Sequence, residues 1–302
     1  MKTRAFALFT GLVLFGLPIA ASCDFPSLDT LSSLFKSAKQ AFVPATEEQE
    51  IAIGHDAAAT LLGASKPITN QAVQDYVNKV GLWIALQSDR PGLPWHFAVV
   101  DSDDIDAFAA PGGFVFITRG LLRHMHNEAE LAGVLGHEIT HVILKHHLKE
   151  LQRAARMDVA GQAAQVGLAE KGYNSNLDQQ LMDKVSNATR NLYSKGLDKD
   201  DEFDADRYGV VLAARAGYDP YGLLAVLQTL QGVDPASGSM QLLLATHPSP
   251  ADRIAALSAA MAAGHMDKYG NQAEGEERFM AIVKTLPPPA PTKAAPVAAT
   301  KK

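Results

Sequence analysis

The chain has 302 residues, of which 47% are hydrophobic and 20% are charged, a composition typical of a globular protein with a sizeable core. The formal net charge of −6 argues against nonspecific binding to nucleic acid. A single cysteine excludes an intramolecular disulfide.

Residues 1–22 have the features of a secretory signal peptide. The positive residues Lys2 and Arg4 precede an apolar run that ends in small residues near Ser22. A membrane anchor is the alternative, but Pro18 interrupts the run, which is marginal for a span of about 20 residues. We therefore expect an exported protein, periplasmic in a bacterium.

Cys23 directly follows the expected cleavage point. The sequence Ala21-Ser22-Cys23 fits a bacterial lipoprotein whose first residue is a lipidated Cys23, although Ala20 stands where leucine is usual. Ordinary signal-peptide cleavage near Cys23 is the other interpretation, and the residues leave both open. Lipidation would attach the protein to a membrane surface without a transmembrane helix.

The remaining chain predicts a mostly helical α+β fold with a small sheet. Residues 23–45 are a lead-in, after which Thr46 has the features of a helix cap. The predicted elements are helices over 46–62 and 69–87, strands over 95–100, 107–110 and 114–118, and helices over 128–151, 177–193, 200–216, 220–231, 250–263 and 271–284. One domain is expected over 46–284, and the Pro/Ala/Lys-rich residues 285–302 are expected to be disordered.

The most informative segment is His137-Glu138-Ile139-Thr140-His141, inside the predicted helix over 128–151. Residues four apart on a helix lie on one face, one turn above each other. His137 and His141 can therefore hold one metal ion, with Glu138 beside the open coordination position, as a zinc hydrolase requires. The pattern also arises by chance, so it does not establish a metal site alone. A catalytic zinc needs three protein ligands, and the third has to come from elsewhere in the chain.

His147 is a candidate for that ligand, because it stands six residues after His141, as in the metzincin pattern. That pattern needs a glycine midway, and the chain has Leu144 there. Six residues on a continuous helix rotate about 600°, which takes His147 off the ligand face. His146 fails similarly, so both histidines are predicted to lie on an exposed, basic helix end.

Glu202 is the better candidate. Glu202 and Asp206 lie four apart on the predicted helix over 200–216, so they share a face. Glu202 can ligate a metal while Asp206 accepts a hydrogen bond from a ligating histidine and fixes its tautomer. Taken alone, the same acidic run is more typical of a solvated helix start.

Together these segments resemble the gluzincin metallopeptidases, the family that includes the CAAX prenyl proteases, the heat-shock membrane protease HtpX and the β-barrel assembly-enhancing protease. The resemblance covers residues 47–260, and Asp106 replaces the asparagine usual in the family. Its five motifs are Asp106-Ala107-Phe108-Ala109-Ala110-Pro111-Gly112-Gly113-Phe114-Val115, Glu130-Leu131-Ala132 ahead of the zinc motif, His137-Glu138-Ile139-Thr140-His141, Glu202 with Asp206, and Thr246-His247-Pro248-Ser249-Pro250 with Arg253. The transmembrane helices of the integral-membrane branches are not seen here, so the chain resembles the exported branch.

The resemblance implies a zincin-like core with the sheet packed beside the zinc helix, and one Zn²⁺ per chain. The implied ligands are His137, His141 and Glu202, with Asp206 supporting a ligating histidine. Glu138 is expected to take a proton from the metal-bound water and pass it to the leaving amine.

His247 is expected to stabilise the oxyanion opposite Glu138, and Arg253 to position the His247 loop. Two other interpretations of His247 stay open. It can cap or pack against the turn at Pro248, or it can bind zinc in a resting state and displace the water.

The strand over 114–118 is predicted to offer an open edge to an extended peptide, with substrate contacts from Gly112, Gly113, Phe114 and Val115. The two glycines would let a substrate backbone approach closely. A simple hairpin turn is the alternative interpretation of the same glycines.

The leading hypothesis is a zinc endopeptidase that hydrolyses unfolded or misassembled cell-envelope proteins, where the substrate clause rests on family analogy alone. The runner-up is a chaperone-like envelope binding protein whose zinc is structural or self-inhibited. A third hypothesis, a lipoprotein adaptor with a chance motif, predicts no bound metal.

Overall fold

The structure is a computed structural model that describes residues 45–154 and 187–289. The predicted signal peptide, Cys23 and most of the terminal tail lie outside the described residues. Within the described residues, no helix is both long enough and apolar enough to cross a membrane.

The prediction of a mostly helical α+β fold is confirmed. The principal elements, in chain order, are α1 (Glu47–Ala64), α2 (Gln71–Ala85), β1 (His96–Val100), β2 (Ala107–Ala110), β3 (Phe114–Thr118), α3 (Arg119–Arg123), α4 (Glu128–Ile143), α5 (Lys199–Arg215), α6 (Gly222–Gln231), α7 (Gln241–Thr246), α8 (Pro250–Ala263) and α9 (Glu276–Val283). Residues 146–154 and 187–195 are also helical. The predicted start of α1 is correct, because Thr46 and Gln49 form a reciprocal capping box.

The three strands form one sheet in the order β1-β3-β2. β1 runs parallel to β3, with His96 opposite Phe114, and β2 runs antiparallel to it, with Ala109 opposite Val115. β3 is therefore the central strand, and both of its edges are hydrogen-bonded. The predicted open edge at β3 is wrong, because four of its five residues are buried and pair with strands on both sides.

Gly112 and Gly113 serve packing within the protein rather than a substrate. Both have positive φ, +76° and +107°. A Cβ at Gly112 would lie 2.6 Å from the Ile51 Cα in α1, and one at Gly113 would lie 3.0 Å from the Pro94 carbonyl oxygen. The close backbone approach that these glycines allow is therefore an approach to the chain itself.

α4 is the central helix, with residues 128–142 all buried. It crosses α5 at two glycines that face each other. A Cβ at Gly136 would lie 2.6 Å from the Gly209 carbonyl oxygen, and one at Gly209 would lie 2.6 Å from the His137 nitrogen. This backbone-to-backbone crossing brings the acidic first turns of α5 against the two histidines of α4.

The predicted continuous helix over 128–151 is wrong, because α4 ends at Ile143. Leu144 caps it, and Lys145 has a left-handed φ of +60° before the chain becomes helical again at residue 146. The break turns His146 and His147 inward, where they are only 2% and 9% exposed. The predicted surface position of these two histidines is therefore also wrong.

Candidate metal centre

His137, His141 and Glu202 converge on one point. Each offers a ligand atom, and these atoms all lie within 4.8 Å of one another. The two Nε2 atoms are 3.0 Å apart, and the Glu202 carboxylate oxygens lie 3.6 Å and 3.7 Å from them. Two imidazoles and one carboxylate form the donor set of a catalytic zinc with one position left for water.

Asp206 and Arg253 support His137. The Nδ1 of His137 lies 2.8 Å from Asp206 Oδ1, and Arg253 donates to both oxygens of Asp206 at 3.0 Å and 2.5 Å. An ionised carboxylate only accepts hydrogen bonds, so His137 Nδ1 carries the proton in its contact with Asp206. The Nε2 lone pair is then directed at the cluster, as a metal ligand requires.

The two carboxylates near His137 are held in their ionised form. Burial alone raises the pKa of Asp206, but Arg253 and His137 together hold it well below its usual range. Burial likewise opposes ionisation of Glu202, yet the positive groups around it, His247 first, lower its pKa to about 2. Glu202 is therefore ionised at neutral pH.

Glu138 lies beside this cluster, and its carboxylate is buried. Its carboxylate is 2% exposed, and its Oε1 lies 4.0 Å from His137 Nε2. Within residues 45–154 and 187–289, no lysine or arginine forms an ion pair with it. Burial raises the pKa of Glu138 to about 8. The charge of His247 opposes this rise, whereas the charges of Glu202 and Asp106 add to it.

His247 lies between two carboxylates. Its Nδ1 is 2.5 Å from Glu202 Oε2, and its Nε2 is 3.7 Å from Asp106 Oδ1. Burial opposes its protonation, but Glu202 and Asp106 raise the pKa of His247 well above its ordinary value. His247 contacts the third candidate ligand, while the three-residue donor cluster itself does not include it.

A cavity of about 490 Å³ opens onto Glu138, Glu202 and His247. Its wall includes Ala107 and Phe108 of β2. Neither Gly112, Gly113, Phe114 nor Val115 lines this cavity, so the substrate contacts predicted for those four residues have no basis in its geometry.

The positions of two side chains near the site, those of Tyr193 and His146, were not predicted from the sequence. The hydroxyl of Tyr193 donates to the Ala109 carbonyl of β2, and its ring stacks on His147 with centroids 5.0 Å apart. His146 reaches the back of His141. No local motif marks Tyr193, and His146 was misplaced because the break after Ile143 has no glycine or proline to signal it.

An HExxH helix, a third ligand from a second helix and a buried, uncompensated glutamate define the class of zinc metallopeptidases. The profile of peptidase family M48 matches residues 70–261. The chain belongs to that family, and the resemblance to gluzincin peptidases is confirmed.

Several curated proteins are similar to this chain. The β-barrel assembly-enhancing protease of Escherichia coli K12 is 28% identical over 232 residues, 76% of this chain and 46% of that protein. The protein of the same name from Yersinia pestis is 29% identical, over 82% of this chain and 51% of its own length. Metalloprotease YcaL of Escherichia coli K12 is 32% identical, over 60% of this chain and 67% of YcaL. The chain thus spans about half the length of the assembly-enhancing proteases it matches.

Proposed function

We propose that the protein is a zinc-dependent endopeptidase that cleaves unfolded or misassembled proteins of the cell envelope, with its catalytic domain over residues 46–284. The observation that carries the proposal is the convergence of three buried donors, His137, His141 and Glu202, beside the uncompensated Glu138 at the wall of a cavity. The envelope substrates are suggested by the names of the assembly-enhancing proteases that the chain resembles.

The donor set fits one Zn²⁺ per chain. The Nδ1 atoms of His137 and His141 are both engaged away from the cluster, so both Nε2 atoms are available as neutral ligands. Glu202 supplies the anionic third ligand. When bound, the zinc lowers the pKa of its water and polarises the peptide carbonyl.

Glu138 performs the proton transfers in this proposal. A carboxylate can accept a proton and, once protonated, return it. Glu138 is placed to take the proton from the attacking water and deliver it to the leaving amine.

His247 is the oxyanion donor in this proposal, and Arg253 is a positioning residue. His247 lines the cavity, and among the described residues the acceptor that faces its Nε2 is the Asp106 oxygen, at the long distance of 3.7 Å. This N–H is therefore available for a developing negative charge. Arg253 acts through Asp206, which it holds against His137.

An extended substrate would pair with β2 rather than with β3. Within residues 45–154 and 187–289, the outer edge of β2 has no strand neighbour, and Ala107 and Phe108 of that strand line the cavity. The hydroxyl of Tyr193 already occupies the Ala109 carbonyl at this edge, so a bound peptide would compete with it.

A chaperone-like binding protein with a self-inhibited zinc site is the second candidate. The 2.5 Å contact between His247 and Glu202 favours it, because a histidine held there crowds the position that an attacking water needs. The intact Glu138 favours the peptidase, since a structural zinc needs no general base.

Zinc content and cleavage of unfolded casein, measured together, test the proposal. We expect about one zinc per chain in the wild type, and we expect Glu138→Gln to retain zinc but lose cleavage by about 10²- to 10⁴-fold. Glu150→Gln, a glutamate away from the site, is the matched control and should cleave normally. Unchanged cleavage by Glu138→Gln would contradict the proposal that the protein is a peptidase. Full zinc content in Glu202→Ala would show that Glu202 is not a ligand.

We also propose export of the protein, with lipidation of Cys23 as the finer hypothesis. The motif at residues 21–23 supports it. Mass spectrometry of the mature N-terminus checks it: a diacylated Cys23 would be lost in Cys23→Ser, and an unmodified N-terminus would exclude anchoring through this residue.

A further inference from the structure

We propose that His146 and Asp201 form a relay that holds His141 in its metal-binding tautomer. The inference rests on the zinc site proposed above and assigns to His146 a positioning role. His137 would then be supported by Asp206, and His141 by its own buried partner on the opposite side of the cluster.

The break after α4 creates the contact. His146 Nδ1 lies 3.0 Å from His141 Nδ1, and His146 is only 2% exposed. On an unbroken helix, five residues rotate about 500°, which places residue i+5 about 140° away from residue i. The left-handed Lys145 removes that offset, and the ion pair of Lys145 Nζ with the buried Glu50 at 2.9 Å stabilises the turn.

The protons in this chain of contacts can be assigned from the donor inventory. If His141 binds a metal through Nε2, its Nδ1 must carry the proton and donate it. His146 Nδ1 is then the acceptor, so His146 carries its own proton on Nε2. That Nε2 faces Asp201 Oδ1 at 3.4 Å, a carboxylate that can accept it.

α5 supplies both ends of this arrangement. Asp201 and Glu202 are neighbours in its first turns, so one helix places the third ligand and the terminal acceptor of the relay. The two ligating histidines differ in how they are supported. His137 meets a carboxylate directly, whereas a neutral imidazole stands between His141 and Asp201, whose side chain is 32% exposed.

The test is the zinc dissociation constant at neutral pH, measured by competition with a chelator. Loss of a partner of a ligating histidine typically weakens metal binding 10- to 100-fold, so we expect about that loss in His146→Ala. His146→Gln should recover part of it, because its amide oxygen can accept from His141 Nδ1. A merely structural role for His146 would lower the melting temperature of the metal-free protein without this selective recovery of zinc affinity.

Asp201→Ala and Asp204→Ala form a matched pair that does not depend on changing a buried residue, and alanine removes the acceptor outright. Asp204 lies on the same helix, is 41% exposed and pairs with Arg207. Weaker zinc binding in Asp201→Ala but not in Asp204→Ala supports the relay. Equal affinities of this pair, or a wild-type affinity in His146→Ala, overturn the relay while leaving the zinc site standing. A wild type that binds no zinc overturns both.

Discussion

Two buried glutamates on the same helix, Glu128 and Glu138, have opposite chemistry. Both are 2% exposed. Burial alone raises the pKa of each, but hydrogen bonds from Arg278, Tyr76 and Tyr218 lower the pKa of Glu128 below its usual value, whereas Glu138 rises to about 8.

The solvent exposure of the two side chains is the same, and their partners differ. Glu128 joins the start of α4 to α2 and α9, and its Oε1 accepts from the Tyr218 hydroxyl at 2.7 Å. Among the residues that the structure describes, none donates a hydrogen bond to the Glu138 carboxylate, which lines a cavity. A buried carboxylate whose oxygens accept hydrogen bonds from several donors stabilises a fold. A buried carboxylate that lacks such donors is available for proton transfer.

The largest stability effect should come from Glu128→Ala. The change removes a charged acceptor and leaves two tyrosine hydroxyls without it, so we expect a loss of about 3 kcal/mol in the free energy of unfolding. Urea unfolding of the metal-free protein measures it, with the exposed Glu277→Ala as control. A loss below about 1 kcal/mol would contradict the structural role assigned to Glu128.

Glu50→Gln should have the next largest effect. Glu50 is fully buried and binds Arg90 at 2.7 Å and Lys145 at 2.9 Å. Because both cations are partly exposed and can be rehydrated, we expect a loss of about 1–3 kcal/mol. The same unfolding assay checks it, and Glu47→Gln, at an exposed carboxylate that also contacts Arg90, should change stability by about 0.5 kcal/mol or less.

Glu138→Gln should change the stability of the metal-free protein least, by about 1 kcal/mol or less in either direction, although it abolishes most of the activity. Within the described part of the chain, the carboxyl group that the amide replaces forms no ion pair with a lysine or arginine. A strong destabilisation of the metal-free protein by this variant would show that Glu138 has a structural partner, and the contrast with Glu128 would fail.

The pH dependence of stability sharpens the contrast further. The folded-state pKa of Glu128 is depressed, so its contribution is present above its unfolded pKa, near about 4.3, and is lost as pH falls through the folded value. The stability difference between wild type and Glu128→Gln should therefore shrink on acidification below about pH 4. Unfolding curves of the two metal-free proteins at matched pH values measure this difference. A constant gap would mean that the pKa of Glu128 is not depressed.

Several features of the site followed from the sequence because they depend on short-range geometry. His137 and His141 share a face on any helix, and the Thr46 cap needs only residues three apart. The third candidate ligand needed the family resemblance, because Glu202 is 61 residues beyond His141 and its helix carried only an acidic pattern. The arrangement of Asp206 with Arg253 likewise joins segments 47 residues apart.

The failed expectations share one cause. An open edge was predicted for the strand over 114–118 from the local pattern of that strand, but strand order is decided by which neighbours bury the apolar face. An exposed His146 was inferred from helical periodicity, but the chain breaks at Lys145, where the pairing with Glu50 comes from α1. Neither the partner strand nor the partner carboxylate is visible in a local pattern.

The sequence by itself determined the two histidines, the base between them and the membership of a metallopeptidase family, because helical spacing and motif order are properties of the chain. Only the tertiary structure decided how α5 and His146 come into contact with these groups. The crossing of Gly136 with Gly209 brings α5 within reach of α4, and the break at Lys145 turns His146 onto His141. Both depend on packing between segments far apart in the chain, which no local pattern specifies.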